Sequence, residues 1–165
     1  MMITLTGFMG GGKTTVGRLL ADALGCPFMD LDDLIMKKAG KSIPDIFAQD
    51  GEPAFRQLEA QVLRKTVEKY AESTVVLALG GGAVLAPASA ALLHEKTVCI
   101  YLRATLDTLL SRLAGETAGR PLADDAMAAR LAEREPIYEK TAHVIMDTDG
   151  LSPDEVTDEI IISAL

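Results

Sequence analysis

The stretch Gly7-Phe8-Met9-Gly10-Gly11-Gly12-Lys13-Thr14-Thr15 constrains this chain more than any other part of it. It fits the pattern G-x-x-x-x-G-K-[ST], anchored on Gly7 and Gly12. Met2-Ile3-Thr4-Leu5-Thr6 precedes it, short, apolar and β-branched, as a buried parallel strand should be. Thr14 to Leu24 follows, with Val16, Leu19, Leu20, Ala23 and Leu24 at helical spacing. Strand, glycine loop and helix, in that order, form the setting in which the pattern binds phosphate. Glycines let main-chain N–H groups approach phosphate oxygens, and the helix turns its positive end into the same space. Gly10, Gly11, Gly12, Lys13, Thr14 and Thr15 are therefore candidates for holding the phosphates of a nucleotide. The Lys13 ammonium can reach the β- and γ-phosphates, and the Thr14 hydroxyl can ligate Mg²⁺.

The rest of the chain repeats the alternation. Cys26 to Asp30, Ser73 to Leu79, Thr97 to Leu102 and His143 to Met146 read as further strands. A helix is expected from about Asp33 to Ala39, stopped by Gly40, and another starting at Ser42 with Asp45 three residues on. A long helix opens at Pro53 and runs to about Tyr70, with Phe55, Leu58, Val62, Val67 and Tyr70 as its inner stripe. Pro87 opens an alanine-rich helix that fades near His94. Leu106, Leu109, Leu110 and Leu113 mark the next. One from about Ala126 to Thr141 is expected to kink or break at Pro136. Ser152-Pro153-Asp154-Glu155 is a capping box that starts the last helix. Ala114 to Asp125, with its glycines, proline and mixed charge, reads as a mobile loop. There is no internal repeat or linker. The pattern is a single doubly wound α/β domain around a parallel sheet of about five strands. Ligands bind beyond the carboxyl ends of such strands, where Gly7–Thr15, Asp30–Asp33, Gly80–Gly82 and Arg103–Thr105 all fall.

At 165 residues and 48% apolar, the chain is long enough for a real core and too apolar for disorder. Aromatics make up 4% and Trp is absent, so the core must be aliphatic. A net charge of −8 makes it a poor ligand for nucleic acid or an anionic membrane. Anionic substrates then need locally focused positive charge, so individual arginines are informative. The two cysteines, Cys26 and Cys99, suggest neither a disulfide framework nor a zinc site. Nothing before Gly7 resembles a signal or transit peptide, and no apolar run is long enough to span a membrane. A cytoplasmic location is expected.

Several stretches together resemble shikimate kinase, in order and along essentially the whole chain. They are Gly7 to Gly17, Asp30-x-Asp32, Asp45-Ile46-Phe47 with Gly51-Glu52, Phe55-Arg56-x-x-Glu59, Gly80-Gly81-Gly82, Arg120-Pro121-Leu122 and Arg134-x-Pro136-x-Tyr138. The resemblance implies transfer of the γ-phosphoryl group of ATP to the 3-hydroxyl of shikimate, with Mg²⁺, on the route to chorismate and the aromatic amino acids. It also implies a three-layer fold like that of nucleoside monophosphate kinases, with strand order 2-3-1-4-5. A lid at about 114–125 and a substrate-binding helical segment at about 31–62 come with it, and a monomer is expected. Another kinase of the same fold, such as a gluconate kinase, is the alternative; Arg56, Arg134 and the triple glycine argue against it. A GTPase-type switch is disfavoured, since no Asn-Lys-x-Asp motif is present.

By the family pattern, Asp30 reaches Mg²⁺ through water, and Asp32 holds shikimate hydroxyls and receives or orients the attacking proton. Arg56 and Arg134 would grip the shikimate carboxylate, for which a planar guanidinium is suited. Glu59, one turn from Arg56, either holds it as an i, i+3 pair or is an ordinary exposed acid. Gly80, Gly81 and Gly82 would bring backbone N–H groups to the substrate ring. Phe47 and Phe55 either wall the substrate site or pack in the core. Arg120 corresponds to the lid arginine on the phosphates. Arg112 would stack on adenine, with exposed helix charge as the competing reading, and Pro153 lies in the other adenine-facing segment. His94 and His143 read as structural.

Overall fold

The computed structural model describes residues 1–116 and 125–165, and Arg120 with the centre of the expected lid lies outside them. Five parallel strands form one sheet in the order β2-β3-β1-β4-β5. They are β1 (Met2–Thr6), β2 (Phe28–Asp30), β3 (Val75–Ala78), β4 (Val98–Arg103) and β5 (Val144–Asp147). Between and after them run α1 (Lys13–Leu24), α2 (Leu31–Ala39), α3 (Ile43–Asp50), α4 (Glu52–Lys69), α5 (Pro87–Lys96), α6 (Leu106–Glu116), α7 (Asp125–Thr141) and α8 (Pro153–Ala164).

Strand alternation divides the core into two layers. Ile3, Leu5, Val76, Ile100 and Leu102 face one way and pack with Val16 and Leu20 of α1 and Val156 and Ile160 of α8. Met2, Val75, Leu77 and Tyr101 face the other way and pack with Phe55, Leu63 and Val67 of α4, Leu93 of α5 and Tyr138 of α7. Helices on both faces of a parallel sheet make the three layers that βαβ connections produce. Among the described residues, no helix is long and apolar enough to cross a membrane.

Several boundaries differ from the sequence reading for physical reasons. β2 begins at Phe28 and not Cys26, because Pro27 has no N–H to give the ladder; its carbonyl still accepts from Val76 N at 3.0 Å. On α4 the buried face is Phe55, Glu59, Val62, Leu63, Thr66 and Val67, while Leu58 and Tyr70 are only half-buried. Two polar residues thus replace two apolar ones. Thr66 is tolerated because its hydroxyl donates to Val62 O at 2.7 Å, and Glu59 because it meets Arg56. α5 extends past His94 to Lys96, and α6 runs on to Glu116. α7 is continuous through Pro136: buried Leu131 before it and Tyr138 after it anchor both halves. His94 and His143 stack with centroids 4.4 Å apart, and each ring bonds a backbone group, which is a structural role.

Candidate active site

The loop between β1 and α1 is set by its glycines. Gly7, Gly10 and Gly12 have φ of 145°, 80° and 86°, a region that side chains disfavour. Gly12 is the N-cap of α1 and makes no side-chain cap, and the first turn holds no acid. By contrast α2, α3 and α8 are capped by Asp30, Ser42 and Ser152. The first N–H groups of α1 are therefore left for an anion. Lys13 Nζ donates to Gly7 O at 2.7 Å and Phe8 O at 3.0 Å, which leaves one of its three protons uncommitted.

Burial lowers the Lys13 pKa to about 8, against the opposing pull of Asp32 and Asp30. A bound polyphosphate favours the ammonium, so the pKa rises in the complex. Nucleotide binding is then fully supported below pH 8 and weakens as pH rises through it, by at most about tenfold per unit. Calorimetry at pH 8.5, in two buffers of different ionisation heat, is expected to show proton uptake on binding. No uptake would mean that this ammonium does not face the phosphates.

Asp30 and Asp32 stand at the end of β2, where α2 begins. Asp30 uses one oxygen to cap α2, accepting from Asp32 N at 2.9 Å, and the other to accept from Thr14 Oγ1 at 3.0 Å. Asp32 is half-buried, and its carboxyl titrates above the usual range, first through burial and then through the charge of Asp30. A raised carboxylate pKa suits a proton acceptor.

The strand-end glycines are packed against the same group. A Cβ on Gly80 would lie 3.0 Å from Asp32 Oδ1 and 3.4 Å from Glu59 Oε2. One on Gly81 would lie 3.4 Å from Arg134 Nη1, and one on Gly82 would collide with the Arg56 guanidinium. None of the three has positive φ, so close approach and not backbone freedom explains them. Both guanidinium groups therefore converge on one glycine segment, beside Asp32. Arg56 Nη1 donates to Glu59 Oε1 at 2.8 Å, and Glu59 is 4% exposed, which settles its open reading: it is no surface acid. Burial raises the Glu59 pKa, with Arg56 opposing. Phe55 is buried in the core, while Phe47 is exposed and lies against it at 4.7 Å between centroids. Gly82→Ala is expected to displace Arg56 and raise KM for the acceptor about tenfold, the worth of one charge-assisted contact, with little change in KM for ATP. Steady-state kinetics with each substrate varied checks it.

The sequence reading assigned no role to Tyr138. It is fully buried, its hydroxyl donates to Gly81 O, and its ring packs on Tyr101 at 5.0 Å. It thereby fixes the glycine segment to α7, the helix that also bears Arg134. Tyr138→Phe keeps the ring and is expected to raise acceptor KM up to about tenfold, a lost neutral hydrogen bond, with ATP KM unchanged. A purely structural role would lower Tm and leave both KM values alone.

On the other side of the loop, Gly10, Gly11, Gly12, Thr15, Val16, Arg112, Thr148, Leu151, Pro153 and Val156 line a cleft of about 300 Å³. Arg112 and Pro153, the two residues expected near adenine, both line this cleft. The guanidinium is pinned: Nη1 donates to Gly10 O at 3.3 Å and Nη2 to Thr148 O at 3.1 Å. Thr148 was missed, although it directly follows β5 at the carboxyl end where ligands bind.

A family model described as "Shikimate kinase" matches residues 9–164. The chain belongs to the shikimate kinase family. A relative named "Shikimate kinase" from Salinibacter ruber is 44% identical over 162 residues, covering 90% of this chain and 78% of that protein. The solved structure of shikimate kinase from Acinetobacter baumannii in complex with shikimate is 33% identical with a TM-score of 0.84, covering 97% of this chain and 90% of that one. A gluconokinase from Sinorhizobium meliloti is similar at 19% identity and a TM-score of 0.62, covering 98% of this chain and 89% of its own, a likeness of fold alone. The strand order found here, β2-β3-β1-β4-β5, is the one the resemblance implied.

Proposed function

We propose that this chain transfers the γ-phosphoryl group of ATP to the 3-hydroxyl of shikimate, giving shikimate 3-phosphate and ADP for aromatic amino acid biosynthesis. The observation that carries this reading is the convergence of Arg56 and Arg134 on Gly80–Gly82 beside Asp32, on the same sheet edge as the phosphate loop. The relative solved with shikimate supports the same acceptor.

The roles follow from position. Arg56 and Arg134 bind the carboxylate, and Glu59 and Tyr138 hold the groups that bind it. The glycine N–H groups face the ring, and Asp32 orients the attacking hydroxyl and takes its proton. Lys13 and the α1 N-terminus stabilise charge on the phosphates. Arg120 is assigned to the same charge through the Arg120-Pro121-Leu122 match. Gly10, Gly11, Gly12, Thr15, Arg112 and Pro153 hold the nucleotide. The Thr14–Asp30 pair fits Mg²⁺: two hard oxygens at 3.0 Å, one of them a carboxylate, are the limited protein set that this ion takes when phosphates and water supply the rest. When bound, Mg²⁺ neutralises charge developing on the phosphate oxygens. The reading takes the protein as a monomer, and ATP dependence accords with a cytoplasmic location.

The test is to incubate the protein with Mg-ATP and, separately, shikimate, gluconate and nucleoside monophosphates, following ADP release. Release with shikimate alone is expected. Release with gluconate but not shikimate would overturn the reading.

A further inference from the structure

The chain has eight lysines, and four of them line one groove far from the phosphate loop. Lys37 and Lys38 come from α2, and Lys65 and Lys69 from α4. With Leu34, Val62 and Tyr70 they bound a space of about 400 Å³ between the two helices. All four are exposed. Three other cations are paired with carboxylates: Lys41 with Asp50, Arg56 with Glu59 and Arg103 with Asp147. Among the described residues, no carboxylate lies within salt-bridge distance of any of these four; Lys69 instead lies 5.3 Å from the centroid of the Tyr70 ring.

Three of the lysines sit in last helical turns, where a cation complements the helix dipole. That accounts for Lys37 and Lys38 on α2 and for Lys69 on α4. It does not account for Lys65, a full turn earlier, or for four like charges facing one opening in a protein of net charge −8. Uncompensated like charges repel, and an anion relieves this. The floor is not polar: Leu34, Val62 and the Tyr70 ring give an apolar body something to lie on, and lysine stems extend that surface. The volume is that of a small-molecule site.

We propose that the α2–α4 groove is a second ligand site, for a small organic molecule carrying at least two anionic groups on an apolar ring. The anions meet lysines from both helices, and the ring lies over Leu34, Val62 and Tyr70. A free inorganic anion satisfies only half of this chemistry and binds more weakly.

The test uses naphthalene-1,5-disulfonate as the probe, titrated into the full-length, ¹⁵N-labelled protein saturated with ADP and shikimate. The phosphate loop and substrate site are then filled, so binding there does not contribute. Saturable shifts confined to α2 and the second half of α4 are expected. Lys38→Gln/Lys65→Gln, which removes one charge from each helix, should weaken the probe about tenfold and leave the melting temperature unchanged. Inorganic sulfate should bind at least tenfold more weakly than the disulfonate. Three results would each overturn the proposal: no saturable shift, shifts elsewhere only, or equal affinity in the double variant. Response to polyglutamate without response to the disulfonate would also overturn it, in favour of an acidic protein partner.

Discussion

Lys13→Met is expected to reduce turnover by roughly three decades or more while the protein melts as the parent does. The ammonium is half-buried at the mouth of the loop, not in the core, and its protein contacts are two loop carbonyls. Methionine fills much the same volume, so the cost falls on the charge that develops as the phosphoryl group moves. ADP release under saturating substrates, alongside a thermal melt, checks both halves. A variant with near-normal kcat and a native melt would remove Lys13 from the chemistry, whatever the loop binds.

Asp32→Asn is expected to lower kcat by about two to four decades, the range for losing a positioned base or orienter. Affinity for ATP should hardly change. The two substitutions also differ in their pH signature. Burial and the neighbouring Asp30 raise the Asp32 pKa, so the acid limb of kcat/KM in the parent lies above the ordinary carboxylate range. Activity falls as pH drops through that limb, because the protonated acid accepts nothing. The asparagine variant has no such group and should lose the limb. If the limb persists in Asp32→Asn, another group carries the proton.

Much of the sheet and the phosphate loop was legible because each rests on local chemistry. Apolar β-branched runs give buried parallel strands, and glycine at fixed offsets before Lys13 and Thr14 gives the loop. The helix that opens at Ser152 with Glu155 three residues on was readable for the same reason. What periodicity could not supply was the inward face of α4. Glu59 and Thr66 look like surface residues in a sequence, and they are buried because one meets a guanidinium and the other bonds its own helix. Pro136 misled in the opposite direction, since its effect on α7 depends on tertiary anchoring by Leu131 and Tyr138. The two arginines proposed to bind the carboxylate were legible only through family resemblance. Arg56 and Arg134 lie 78 positions apart and share no local pattern. The triple glycine was read as close approach of the backbone to a ligand, and the packing adds that the space a Cβ would fill at Gly81 and Gly82 lies against those two side chains. Tyr138 and Thr148 act through hydrogen bonds to residues distant in sequence, Gly81 for the one and Arg103 and Arg112 for the other, which no window of sequence displays.

The two resting contacts of Lys13 carry a consequence for what the loop can accept in that position. A compact ammonium on a flexible stem can keep Gly7 and Phe8 carbonyls and still turn its remaining proton outward. Guanidinium has the same charge but a flat, forked set of donors and a longer reach, so it cannot satisfy both carbonyls from the same root. Arginine at 13 would have to swing into the space kept for the nucleotide and become a competitor for it. The loop thus selects for the shape in which its charge is delivered as well as for the charge, and an electrostatically neutral exchange of one cation for another would be felt as a blockage.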